Sequence, residues 1–246
     1  MSDCFERRNM AGAVFRDVNL RGSVFEDVNL AEATIHNATL ENARIEGSYI
    51  KGLTIYGIRI DELIEAELDR RDPERLRLRI QDIRDPSSAL EVMARLEQLR
   101  SRFRELLRSA APKRLATRPG ASKWSALENL RHVLFAEDLY LNRLILQNRQ
   151  PLCKLGLLPA HMHGWPGFEE VGSTPVEDLE TILAAWDGVH AGMQAFLSDL
   201  TPERLQREAR ELGGEPTIVG EVLQRLAQHD LHHIRSVEAV LARTES

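Results

Sequence analysis

A large apolar residue recurs at every fifth position through the first sixty residues of the chain. The unbroken series is Phe5, Met10, Phe15, Leu20, Phe25, Leu30, Ile35, Leu40, Ile45, Ile50, Ile55 and Ile60. Mostly small residues stand two positions before each of them from Ala13 onward, and mainly polar residues fill the other positions. A period of five fits neither an α-helix, with about 3.6 residues per turn, nor a flat strand, with a period of two. It is typical of a square coil in which each five-residue side turns one large and one small side chain inward.

The units VNLRG, VNLAE and ATLEN resemble the pentapeptide-repeat family, whose repeat reads roughly A(D/N)LXX. The resemblance predicts a short right-handed quadrilateral β-helix over residues 1–62, in which coils stack at about 4.8 Å, the spacing of strands in a sheet. We expect this β-helix to serve as a scaffold or as a docking surface for a protein partner. Mimicry of duplex DNA, known for some long members, would need a strongly acidic column, whereas acidic and basic residues nearly balance here.

A charged amphipathic segment, DELIEAELDRRDPERLRLRI, follows the last repeat. Asp61 stands at its start and is predicted to be the N-cap of a helix. The end of a stacked coil has backbone groups that need to be covered. We therefore expect residues 63–84 to form a helical cap that closes the repeat module and leads into the next domain.

A helical period governs the remaining residues, 85–246. Apolar residues recur at a spacing near 3.6, and Ser122 or Ser125 is predicted to cap the second helix. Residues 150–173 are rich in Pro, Gly and His and are predicted to form a long loop. The four predicted helices cover about 90–107, 125–144, 175–198 and 217–243. The predicted fold is therefore an α+β multidomain protein in which a four-helix bundle follows the β-helix.

Three histidines on two of these helices have the pattern of a metal site. His229 and His233 stand at i and i+4 in QHDLHHIRSVE and therefore share one face of a helix. His132 lies among apolar residues in ALENLRHVLFAED, where an unpaired imidazole would be costly to bury. Packing or surface roles are the alternative for each. As ligands, neutral imidazoles suit several divalent metals, so Zn, Ni, Fe and Mn are not distinguished.

The segments KWSALENLRHVLFAED, LTPERL and TIVGEVLQRLAQHDLHHIRSVE resemble the DinB/YfiT-like family of four-helix metalloenzymes. The resemblance covers about residues 85–243. In that family one histidine of the second helix and an HxxxH pair of the fourth helix bind a divalent cation. The resemblance therefore implies that His132, His229 and His233 are the metal ligands, and that two copies of the chain form a homodimer.

Two residues near these histidines are candidates for catalysis. Glu128, one turn before His132, is suited to hydrogen bonding with an imidazole or to acid/base chemistry, with helix capping as the alternative. His232 lies one residue off the ligand face, where it faces solvent or donates a hydrogen bond behind the ligands. Asp230 is expected to be a solvated carboxylate rather than a group that orients an imidazole. His190 is expected at the surface.

Three neutral ligands leave a divalent ion with open positions, as in catalytic rather than structural sites. A bound water or thiol then loses its proton more easily, which favours hydrolysis or transfer of a thiol. Characterised relatives include thiol S-transferases and a thiol-dependent isomerase, so the resemblance implies a low-molecular-weight thiol. We predict a divalent-metal-dependent transferase or hydrolase with a small-molecule substrate. The alternative is a non-catalytic scaffold with a structural or vestigial metal site.

Composition and charge argue against some classes of partner. A formal net charge of −6 argues against a nucleic-acid partner. No apolar run approaches the roughly 20 residues that span a bilayer, and the first thirty residues do not have the pattern of a signal peptide. Cys4 and Cys153 lie far apart in the sequence and are expected to be reduced thiols. We therefore expect a cytoplasmic protein without a membrane partner.

Overall fold

The structure, a computed structural model, describes residues 4–5, 8–25, 28–45, 50–120, 123–159, 162–174, 178–210 and 216–242. In chain order the helices are α1 (Ile60–Arg71), α2 (Glu74–Arg77), α3 (Pro86–Ser109), α4 (Pro112–Ala116), α5 (Ala126–Asp138), α6 (Leu179–Ser198), α7 (Pro202–Gln206) and α8 (Val219–Ala242). A π-helical segment, Leu139–Ile145, continues α5. Among the described residues, we find no helix with both the length and the apolar character needed to span a bilayer.

The strands are few and short. Strand β1 (Thr54–Ile55) pairs antiparallel with β2 (Ile58–Arg59) at the end of the repeat region. Strand β3 (Glu208–Arg210) pairs antiparallel with β4 (Pro216–Ile218) just before α8. The prediction of a mainly helical second domain is confirmed, whereas the β3–β4 pair lies in a segment that the sequence indicated only as a linker.

Side-chain caps set where three of the long helices begin. The carboxylate of Asp85 accepts the amides of Ser87 and Ser88 at the start of α3. The hydroxyl of Ser125 caps α5, as the sequence predicts, and Asp178 caps α6 in the same manner. Each cap satisfies amide groups that have no partner inside the helix. Residues within one turn of each start therefore define these boundaries.

The four long helices enclose one hydrophobic core. Helix α3 packs against α6 and α8, and α5 packs against the same two helices from the other side. Burial of each large apolar side chain contributes about 1.5–3 kcal/mol to stability. The largest contributors are at most 1% exposed and include Leu96, Phe103, Leu130, Leu134, Ile182, Trp186, Leu223 and Leu226.

The predicted long loop between α5 and α6 forms a second, smaller core against α5. Its apolar side chains pack on Phe135 and Leu139 of the α5 helix and its π continuation. The loop residues of this cluster are Leu152, Leu158, Met162, Phe168 and Val171. Because it is anchored by these side chains, the loop is held close to the helix that carries His132.

Residues between the repeat region and α3 are fastened to the helices. Arg235 of α8 donates to Asp72 at 2.8 Å, and Arg95 of α3 donates to Glu74 at 2.5 Å.

The predicted N-cap role of Asp61 is wrong, because α1 begins one residue earlier, at Ile60, after a residue whose side chain makes no cap hydrogen bond. The Asp61 carboxylate instead accepts the amide of Gly52 at 2.7 Å, which ties the start of α1 to the last repeats.

The predicted quadrilateral β-helix is not seen in the described part of the repeat region. The large apolar side chains from Met10 to Ile45 are between 41% and 69% exposed. A hydrogen-bonded turn recurs every ten residues instead, and in the first one the amide of Ala13 donates to the carbonyl of Met10 at 2.9 Å. Gly12, with a φ of 76°, supplies the left-handed position of that turn. A coil buries its large residues only where neighbouring coils cover it, and twelve repeats supply only about three coils.

Candidate metal centre

The structure brings the three predicted ligands together. His132 projects from α5, and His229 and His233 project from successive turns of α8. One nitrogen from each ring lies within 4.8 Å of the others. The Nε2 atoms of His132 and His229 are 3.1 Å apart. Their side chains therefore form one compact group that could hold a metal ion.

The orientation of His132 is fixed by the main chain of the long loop. Its Nδ1 lies 3.0 Å from the carbonyl oxygen of Leu157. A carbonyl oxygen only accepts hydrogen bonds, so Nδ1 carries the proton and Nε2 keeps a lone pair. The sequence could not indicate this partner, because a carbonyl is present whatever the residue.

Arg131 keeps that carbonyl in place. Its guanidinium donates to the carbonyl oxygens of Leu155 and Gly156 at 2.8 and 3.2 Å, and its own carbonyl accepts the amide of Leu157 at 3.1 Å. Gly156 is required by close approach, because a Cβ there would lie 2.9 Å from the Cβ of Phe135. These contacts hold the loop against α5 beside His132.

Asn129 fixes His233 in a comparable way. The Nδ2 of Asn129 donates to the carbonyl oxygen of Ser125 at 2.9 Å, which leaves Oδ1 facing His233. Oδ1 accepts the Nδ1 proton of His233 at 2.9 Å. Asn129 was not predicted as a site residue, although it is a polar residue in the apolar stripe of α5 between Ala126 and Val133.

Asp230 is the acceptor for His229. Its Oδ1 lies 3.3 Å from Nδ1 of His229, and a carboxylate oxygen only accepts here. The prediction that Asp230 is a solvated carboxylate is wrong, because its side chain is fully buried between the helices. Asp230 continues the buried face of α8 that runs from Ala227 to Ile234, so helix geometry carries it inward.

The Nδ1 atoms of all three rings therefore face acceptors outside the group, and the Nε2 atoms of His132 and His229 face each other. Acceptors placed behind ligating histidines fix the ring tautomer in this manner. At 3.1 Å, these two Nε2 atoms are close enough to share a proton or to bind one metal ion together. Burial and the neighbouring imidazoles hold the pKa of His233 well below its ordinary value, so this ring is neutral at pH 7. Neutral imidazole is the form that binds metal, and the donor set fits a divalent ion.

Aromatic side chains line the group. The ring of Trp124 lies 4.7 Å from that of His132, and the ring of Tyr140 meets that of His229 edge-on at 6.0 Å. His132 and His233 are 8% and 9% exposed, whereas 20% of the His229 side chain is exposed. The side chain of His229, next to Tyr140, is therefore the most exposed of the three. Tyr140 lies in the π-helical segment, a feature often found at functional sites and not predicted from the sequence.

The two residues predicted to be catalytic lie near the group but do not join it. The carboxylate of Glu128 accepts the amide of Ser125 at 2.8 Å and pairs with Arg118, and it completes the capping box of α5. His232 is exposed, and its ring meets the ring of His233 edge-on at 5.1 Å. Their roles in proton transfer stay predictions.

His190 is not a surface residue as predicted. Only 12% of its side chain is exposed, and its Nδ1 donates to Glu137 at 2.8 Å. Its Nε2 lies 3.0 Å from Glu97. Hydrogen bonds to these two carboxylates raise the pKa of His190 to about 9, so the ring is protonated at neutral pH.

Fold and site together define a mainly helical domain with a buried group of three imidazoles suited to a divalent ion. Residues 95–237 match the DinB superfamily, and the chain therefore belongs to the DinB superfamily. Residues 9–47 match pentapeptide repeats in eight copies. Both resemblances predicted from the sequence are confirmed. Comparisons with curated proteins and with solved structures found no match.

Proposed function

We propose that this chain is a divalent-metal-dependent enzyme that activates a small nucleophile at His132, His229 and His233. The observation that carries the proposal is the set of three separate acceptors behind three rings that each bring one nitrogen into a common group. Residues packed only for stability would not need their tautomers fixed in this concerted way.

A divalent ion at these ligands supplies Lewis-acid chemistry, lowering the pKa of a bound thiol or water. The chain's own residues position the ligands and restrict access to them. Trp124 covers His132 and His233, while the His229 side is left partly exposed for a substrate. Sequence resemblance favours transfer of a low-molecular-weight thiol, and hydrolysis is the alternative reaction at the same centre.

Metal content tests the ligand set first. We expect the full chain, purified without a histidine tag, to hold close to one equivalent of a divalent metal by elemental analysis. The variant His132→Ala/His229→Ala/His233→Ala is expected to lose it. His232→Ala is the matched control, because it removes an adjacent imidazole that lies outside the group. Absence of metal from the wild-type chain, even after reconstitution, would contradict the proposal.

Turnover separates an enzyme from a non-catalytic metal protein. We expect the metal-loaded chain to join a low-molecular-weight thiol to a model electrophile, or to hydrolyse a model ester, and His132→Ala to lose this activity. Thermal stability is measured in parallel with and without a chelator. A chain that is destabilised by the chelator but turns over neither substrate class would support the structural alternative instead.

A further inference from the structure

Three charged side chains meet in the interior of the helical domain, behind the histidines. Arg100 of α3 is 1% exposed, and Glu137 of α5 and Asp230 of α8 are fully buried. Each stands in the apolar stripe of its helix. Burying charges costs free energy that their mutual attraction often only offsets, so apolar residues of similar size would fill this space equally well or better.

The contacts of Arg100 divide the two oxygens of Asp230 between different partners. Both Nε and Nη2 of Arg100 donate to Oδ2 of Asp230, at 2.9 and 2.5 Å. Oδ1 is thereby directed to Nδ1 of His229, at 3.3 Å. The guanidinium is planar and rigid, so this two-pronged contact holds Oδ2 in place and leaves Oδ1 available to His229.

Arg100 is held in turn from its other side. Its Nη1 donates to Oε1 of Glu137 at 3.2 Å. Glu137 accepts the indole N–H of Trp186 at 2.5 Å and the Nδ1 proton of His190 at 2.8 Å. Side chains from α3, α5, α6 and α8 therefore take part in one hydrogen-bonded chain that ends at a ring of the candidate metal centre.

We propose that Arg100 is a positioning residue for the metal centre. It holds Asp230 so that Oδ1 orients the imidazole of His229 and keeps Nε2 directed at the other two ligands. This inference rests on the proposed function, since it requires an ion at the three histidines. It explains why a charged group stands in a core position that stability alone would leave apolar.

The test compares two charge-balanced double variants of the full chain. Arg100→Met/Asp230→Leu removes the buried pair, and Arg95→Met/Glu74→Leu removes a second Arg–carboxylate pair that begins on the same helix. Affinity for Zn(II) is measured by competition with a chromogenic chelator, and the visible spectrum of the Co(II) form reports the ligand arrangement. Urea unfolding of each metal-free variant records stability separately.

We expect Arg100→Met/Asp230→Leu to fold and to bind Zn(II) about 10- to 100-fold more weakly, with an altered Co(II) spectrum. The control is expected to match wild type in both readouts. If Arg100→Met/Asp230→Leu does not fold, Arg100→Lys is measured instead, because it keeps the charge without the two-pronged donor. We expect this variant to lose affinity for Zn(II) several-fold.

Two failures are distinguishable. A wild-type chain that binds no metal would remove the proposed function and this inference together. If wild type binds Zn(II) and the Arg100 variants bind it with an affinity within twofold of wild type, the inference is overturned and the proposed function stands. Weakened binding in the control variant to the same degree would also overturn it, because the effect would then follow from any lost ion pair on α3.

Discussion

The repeat region and the helical domain both carry a strict apolar period, but only the helical domain buries it. Phe103 in α3 is 1% exposed, whereas Phe15 in the repeats is 58% exposed. A helix satisfies its backbone internally and needs only another apolar face to pack against. A repeat coil needs neighbours above and below for its backbone and its side chains alike. Periodicity therefore shows which residues share a face, and not whether anything covers that face.

The largest expected difference comes from truncating one phenylalanine in each region. Phe103→Ala should lower the free energy of unfolding by about 3–5 kcal/mol, because it leaves a cavity in the core. Phe15→Ala should change it by less than about 0.5 kcal/mol, since the ring is mostly exposed. Calorimetry is the measurement, because it detects unfolding of the repeat region as well as of the helical domain. A loss of several kcal/mol for Phe15→Ala would instead establish a closed coil with Phe15 inside.

The second prediction is a pH dependence of stability that arises in the helical domain, at His190. The folded-state pKa of His190 is about 9, above its ordinary value of 6.5. Its contribution to stability is therefore fully present below about pH 6.5 and is lost as the pH rises through 9. Because the ring is partly exposed, we expect a loss of about 1–2 kcal/mol between pH 7 and 9.5.

The variant His190→Gln is the control for this pH dependence. Urea unfolding at the two pH values should show that the decline is much smaller in the variant than in wild type. An equal decline in both would mean that other groups cause it.

The third prediction compares two local side-chain hydrogen bonds. Ser125 caps α5 inside the packed domain, and Asn19 accepts the amide of Arg21 at 3.0 Å in an exposed repeat turn. Ser125→Ala should cost about 1 kcal/mol, whereas Asn19→Ala should cost less than about 0.5 kcal/mol. Thermal unfolding measures both. Equal costs would indicate that the repeat turns are coupled to a packed structure.

The smallest effect is expected at the partner of that cap. Glu128→Gln keeps an acceptor for the amide of Ser125 and weakens only the pair with Arg118, so the loss should be about 0.5 kcal/mol or less. The variant should keep its metal by elemental analysis. A more than tenfold loss of turnover with the metal retained would establish the predicted acid/base role of Glu128.

The parts of the site that could be predicted are those governed by spacing along one helix. His229 and His233 are four residues apart, and His132 was indicated by its place among apolar residues before the family resemblance supported it. The partners that fix the rings come from tertiary contacts, so the Leu157 carbonyl had no sequence signal. Arg100 did have one, because it interrupts the apolar stripe of α3 between Leu96 and Phe103.

Predictions about the fold also differ in the contacts on which they depend. The cap of α5 depends on residues within one turn, and the structure selects Ser125 from the two predicted candidates, Ser122 and Ser125. The coil of the repeats depends on stacking between units far apart in the sequence, and the local period could not supply that information. Local contacts were not always sufficient, since the N-cap predicted at Asp61 is wrong because its carboxylate binds the amide of Gly52 instead.

The carbonyl that orients His132 gives the long loop an unusual freedom to diverge. The loop contributes a main-chain atom, so almost any residue could replace Leu157 without removing the contact. The steric constraint falls instead on Gly156, where a side chain would strike Phe135. Side chains at the loop's surface could therefore change while the contact that orients His132 is kept. An insertion or deletion beside Gly156 would disturb the centre more than most substitutions there.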